Sequence, residues 1–101
     1  MNYRQALNQQ TQIIQQKFED QCIVAHSGGL FKITPEFLVG LKNIKEPNQW
    51  VLDMNNNPIM IRGVAHFYEE AYNVYYTALA IFGQEFNKLK TQRSSDSILD
   101  L

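Results

Sequence analysis

The chain has 101 residues, 45% of them hydrophobic and 19% charged, with a formal net charge of −1. That is the length of one domain and the composition of a folded chain rather than a disordered one. The near-neutral charge argues against a bulk nucleic-acid binder, which needs clustered Lys and Arg to neutralise phosphates.

Residues 2–25 predict a helix. Tyr3, Leu7, Ile14, Phe18 and Cys22 share one face at spacings of four and seven, and glutamines fill the other faces. Ser27-Gly28-Gly29 is expected to stop it, because glycine takes the left-handed conformation that ends helices. Leu30–Ile33 reads as a short strand. Thr34-Pro35-Glu36 is a helix start: a capping hydroxyl, a proline suited to the first helical position and an acid at the positive end of the dipole. The helix Pro35–Asn43 then turns Phe37, Leu38, Leu41 and Ile44 inward.

Residues 50–54 and 59–61 predict two strands around Asn55-Asn56-Asn57-Pro58, a hairpin that residues 30–33 can extend to three strands. Residues 64–92 predict the longest helix. Val64, Tyr68, Ala71, Tyr75, Ala78, Phe82, Phe86 and Leu89 recur every three or four residues; Phe67, Tyr72, Tyr76 and Leu79 widen that stripe, so the helix should touch more than one neighbour. Gly83 is expected to weaken or bend it locally. The expected fold is α+β and predominantly helical. It has two long helices, one short helix and a small β-hairpin or three-stranded sheet. Residues 1–93 form a single compact domain, and residues 94–101 a flexible C-terminal tail with apolar anchors.

Candidate chemistry is sparse. Asp53-Met54-Asn55-Asn56-Asn57 starts like a calcium loop, but Pro58 stands where glycine is needed and Val64 where the bidentate glutamate is needed, so a turn is the better reading. Cys22 and His26, with His66 and Glu70, have helical spacings that make a four-ligand metal site only if the two helices meet there. No spaced zinc signature is present, and the expectation is no metal and no cofactor. Cys22 lies on an apolar face, where a thiol is inert packing. Ser27 lacks the surroundings of a nucleophile elbow, and Glu69-Glu70 reads as a solvated face. No enzyme is expected. Tyr68, Tyr72, Tyr75 and Tyr76, with Phe67, can stack bases only beside basic residues, and none stands between Arg62 and Lys88. Core packing or a protein interface is the plainer reading of these rings.

The single cysteine rules out an intramolecular disulfide, residues 1–12 lack the apolar core of a signal peptide, and no window approaches the ~20 apolar residues of a membrane span. A soluble cytoplasmic protein is expected.

In the tail, Ser94–Ser97 is a polar spacer before Ile98-Leu99-Asp100-Leu101. Apolar anchors on such a tether suit insertion into a groove on a partner; the alternative is a tail that folds back on its own domain or is frayed. The segment Ser97–Leu101 resembles the clamp-binding peptides at the ends of DNA polymerases and their accessory proteins. It is similar to the C-terminal tail of the late-transcription coactivators of T-even-type tailed phages. Those peptides usually carry a phenylalanine, and none stands among residues 93–101. The resemblance implies a phage adaptor in the host cytoplasm. Ile98, Leu99 and Leu101 would anchor it to a sliding clamp, with Asp100 setting polarity, and its body would engage another protein such as RNA polymerase. The charge balance leads to the expectation of no direct sequence-specific nucleic-acid binding, and the hydropathy to that of no membrane. The second expectation is a small structural or assembly protein, a virion component or chaperone-like factor, acting as an oligomer.

Overall fold

The computed structural model describes the backbone of residues 3–99 and the side chains of residues 8–91. In chain order the elements are α1 (Tyr3–Gln21), β1 (Ile23–His26), β2 (Gly29–Lys32), α2 (Pro35–Lys42), β3 (Asn48–Leu52), β4 (Pro58–Arg62) and α3 (Val64–Leu99). The fold is α+β and predominantly helical, as expected.

The first helix is shorter than its periodicity suggests. The Cys22 N–H donates to the carbonyls of Phe18 and Glu19 at 3.2 and 3.1 Å, and the chain then leaves the helix. Ile23 and Val24 are β-branched, which favours extended backbone. They pair with the segment that follows: Val24 lies opposite Phe31 and His26 opposite Gly29. Only Ser27 and Gly28 remain in the loop. Both have positive φ, 52° and 85°, as a type I′ hairpin turn requires. The Ser-Gly-Gly stretch is therefore a hairpin turn and not a helix stop.

The three-stranded sheet does not form. Residues 30–33 lie on or beside the hairpin with β1, and β3 pairs only with β4, in two separate two-stranded sheets. The hairpins are nonetheless tied. The Met54 N–H donates to the Leu30 carbonyl at 2.8 Å, and the Leu30 N–H donates to Asp53 Oδ2 at 3.2 Å. Gly29 lies where they pack closest: a Cβ there would stand 2.7 Å from Ile59 Cγ1.

The capped helix forms as read. Thr34 Oγ1 accepts the Phe37 N–H at 3.1 Å, Pro35 opens α2, and Leu38 and Leu41 are buried. The Gly63 and Val64 N–H groups donate to the Pro47 carbonyl at 3.0 and 2.8 Å, fastening the start of β3 to the start of α3.

The core gathers where both hairpins and α2 meet the first turns of α3. Phe31, Ile33, Ile61 and Phe67 are fully buried there, with Cys22 beside them. Phe67 meets Phe31 edge-on at 5.1 Å and Phe37 at 6.1 Å, the T-shaped geometry that ring quadrupoles favour. Beyond the core, α1 and α3 run as a pair. Phe18 stacks on Phe82 at 5.1 Å and meets Tyr75 at 5.8 Å. Helix α3 has 36 residues and continues through Gly83; at 1.5 Å per residue it is roughly 54 Å long. It sets the shape, 61 × 21 × 17 Å, with a radius of gyration of 18.2 Å against about 13 Å for a spherical domain of this length. Among the described residues no helix is long and apolar enough to cross a membrane.

Candidate functional site

Among the described residues, the β3–β4 hairpin and helix α3 each leave an apolar face open to solvent. The first is the outer face of the β3–β4 hairpin. Side chains alternate across a strand, and this register pairs Val51 with Ile59 and Gln49 with Ile61 on one face, and Trp50 with Met60 and Leu52 with Pro58 on the other. The first face covers the core, with Ile61 fully buried. The second points away from it, leaving Trp50 61% and Leu52 59% exposed. Leu30 and Met54, joined through their backbones, are exposed beside it. The apolar triplets Trp50-Val51-Leu52 and Ile59-Met60-Ile61 made both faces of this hairpin apolar; which face would be covered depends on α3 and could not be read from them.

The second open face lies on α3. Of the tyrosine group, Tyr72 and Tyr76 are exposed, Tyr68 and Tyr75 are half-buried, and Phe67 is wholly buried. Tyr72 and Tyr76 stand 4.5 Å apart, ring to ring. Leu79 and Phe86 continue the exposed row. Phe86 was expected inward; it lies one turn along and about 40° round the helix from Phe82, which takes the place against Phe18.

The loop that presents the hairpin is organised by one carboxylate. Asp53 Oδ1 accepts the N–H groups of Asn55 and Asn57, each at 2.9 Å, while Oδ2 takes that of Leu30. The Asn57 N–H, with those of Leu30 and Asn55, holds the Asp53 carboxyl below the usual carboxylate range, against the opposing effect of burial. Asp53 is thus the tie of a turn, and its oxygens are already occupied by backbone donors.

The residues weighed for chemistry are only partly brought together. His26 Nε2 stands 4.0 Å from Glu70 Oε2, and Ser27 Oγ lies 2.9 Å from His26 Nδ1. The His26 ring packs on Phe67 at 4.3 Å. The order Ser27, His26, Glu70 follows that of a nucleophile, base and orienting acid. The serine, however, is the next residue in the chain, in a left-handed turn, and the carboxylate lies beyond hydrogen-bonding distance. Cys22 is buried, and burial pushes its thiol up, away from the reactive thiolate. Among the described residues no three His, Cys, Asp or Glu side chains come together to hold a metal ion.

The helix bounds of α3 run to Leu99, through the Ser94–Ser97 stretch read as a spacer. The side chains of Ile98 and Leu99, and Asp100 and Leu101 entirely, lie outside the described residues. Compared with protein-family models, with curated proteins and with solved structures, the chain matches none.

Proposed function

We propose that this chain is a non-enzymatic protein–protein adaptor, a phage replication or late-transcription accessory protein acting in the host cytoplasm. Its Ile98-Leu99-Asp100-Leu101 peptide engages a sliding clamp, and its body engages a second protein such as RNA polymerase. The observation that supports the body contact is the outer hairpin face. Trp50 and Leu52 hold large apolar side chains in water, at a position where the hairpin could equally carry polar ones. Tryptophan and methionine are enriched at the centres of protein interfaces, and the exposed leucine adds apolar area beside them. The tail contact rests on the peptide resemblance. A titration of purified clamp with a peptide of residues 93–101 tests it. Saturable binding at micromolar concentration, lost on Leu99→Ala with Leu101→Ala, is expected. A silent peptide and a silent full-length chain would remove the clamp from the proposal.

A second reading, an assembly protein acting as an oligomer, is favoured by the exposed aromatic row of α3. It predicts that full-length protein forms large assemblies without any partner, and light scattering separates it from the adaptor.

A further inference from the structure

Helix α3 carries two apolar seams side by side. Ala71, Tyr75, Ala78 and Phe82 are buried or half-buried, with Tyr75 and Phe82 on Phe18 of α1. One residue further at each step run Tyr72, Tyr76, Leu79 and Gly83, with Phe86 next. Their spacing of four, three, four and three is that of a heptad seam. Its side chains face solvent: Tyr72 is 44% exposed, Tyr76 46%, Leu79 37% and Phe86 41%. Leu79, Phe82, Gly83 and Phe86, at positions i, i+3, i+4 and i+7, enclose a groove of about 310 Å³ lined wholly by apolar side chains and glycine. Four residues at that spacing are the hole that receives one side chain of a facing helix. The space over Gly83 is open, since a Cβ there would meet nothing within 4 Å.

We propose that the occupant is α3 of a second copy of this chain, packed antiparallel about a two-fold axis. The seam itself supplies the partner, since Leu79 and the hole at Gly83 are complementary within one sequence, and charge supplies the direction. From Val64 to Asn87 the helix carries Glu69, Glu70 and Glu85 and no Lys or Arg; Lys88 and Lys90 follow. Parallel pairing would lay Lys90 on Lys90 and Glu69 on Glu69. Antiparallel pairing lays Lys90 along Tyr72 of the second copy, one turn from its Glu69. Lys90 already favours such a ring, with Nζ 5.8 Å from the centre of Phe86. The same register sets Tyr76 against Phe86 and seats Leu79 of each copy in the hole at Gly83 of the other. Both copies bury one patch against its equivalent, as a two-fold contact requires. Asn73, Ala80 and Asn87, which flank the seam, are uncharged; Lys42 of α2 lines a groove with Glu69 and Tyr72, so Glu69 lies near two cations in the dimer. From Tyr72 to Lys90 the seam is about 27 Å long; a contact made by this one helix face is expected to be reversible, with a dissociation constant on the order of micromolar. It does not rest on the adaptor reading, because no tail residue takes part.

Sedimentation equilibrium of the full chain over about 5 to 500 μM tests it. A monomer–dimer equilibrium that stops at the dimer is expected. Leu79→Glu and Gly83→Phe, both at exposed positions, should each raise the dissociation constant by about tenfold or more while far-UV circular dichroism shows the monomer folded. Deleting residues 94–101 should leave the equilibrium unchanged. A nitroxide on Ala65→Cys, an exposed position beyond the seam, in a Cys22→Ala background, should report a separation of about 48 Å in the dimer, the axial distance an antiparallel register gives at 1.5 Å per residue. A monomer throughout, growth beyond the dimer, a dimer indifferent to Leu79→Glu, loss of the dimer on tail deletion alone, or a short label separation would each overturn the proposal.

Discussion

At the scale of single residues, Asp53 shows how a motif and its job can diverge. The sequence reads as the first oxygen of a calcium loop, and the better reading, a turn, is what forms. The tie to Leu30 was not legible, because it depends on a hairpin twenty-three residues upstream. The Asp53 carboxyl is held below its usual value, so its contribution to stability is complete above about pH 4, the ordinary carboxylate range. That contribution is lost as pH falls through the lower folded value. Asp53→Asn keeps one accepting oxygen but turns an amide donor toward a backbone donor. Thermal melts from about pH 6 to pH 2 should therefore show a wide gap in Tm between wild type and variant at the top, closing below pH 4. Parallel curves would show that the carboxylate charge does nothing for the turn.

At the scale of elements, the signals that survived were local ones. Thr34-Pro35-Glu36 started α2 because a cap, a fixed φ and a dipole act within one turn. The end of α1 was not legible for the opposite reason. Cys22–Ala25 continues the helical spacing, and only pairing with Leu30 and Phe31 across the Ser27-Gly28 turn draws it into a strand. The α1–α3 pairing contains two contacts of very different worth. Lys17 Nζ lies 2.6 Å from Glu85 Oε1, but the lysine side chain is 53% exposed, and water and salt screen such a pair to under about 1 kcal/mol. Phe18, stacked on Phe82 and edge-on to Tyr75, removes apolar area from water, and its truncation costs roughly 2–3 kcal/mol. Urea denaturation should place Lys17→Ala near wild type and Phe18→Ala well below it. The reverse order would mean that the ion pair, and not the rings, holds the helices together.

At the scale of the whole molecule, the predominantly helical α+β class was legible because long periodic segments keep their identity in any tertiary setting. The open surface was only half legible. The apolar character of Trp50, Leu52, Tyr72, Tyr76 and Leu79 stands in the sequence, but their exposure follows from which face of each element its neighbours cover. The Val51, Ile59 and Ile61 face takes the core, and the Ala71, Tyr75, Ala78 and Phe82 stripe takes α1 and its surroundings. What remains among the described residues is an elongated body with apolar faces on the hairpin and on the long helix. The adaptor reading assigns the hairpin face and the terminal residues to separate partners, and so predicts that each contact can be removed without the other. The most direct measurement immobilises purified sliding clamp and asks whether this chain retains purified RNA polymerase on it. The account predicts retention that needs the full chain. Leu99→Ala with Leu101→Ala should release the chain and the polymerase together. Trp50→Ala with Leu52→Ser should leave the chain on the clamp and release only the polymerase. Polymerase retained equally by both variants, or a wild-type chain that binds neither protein, would contradict it.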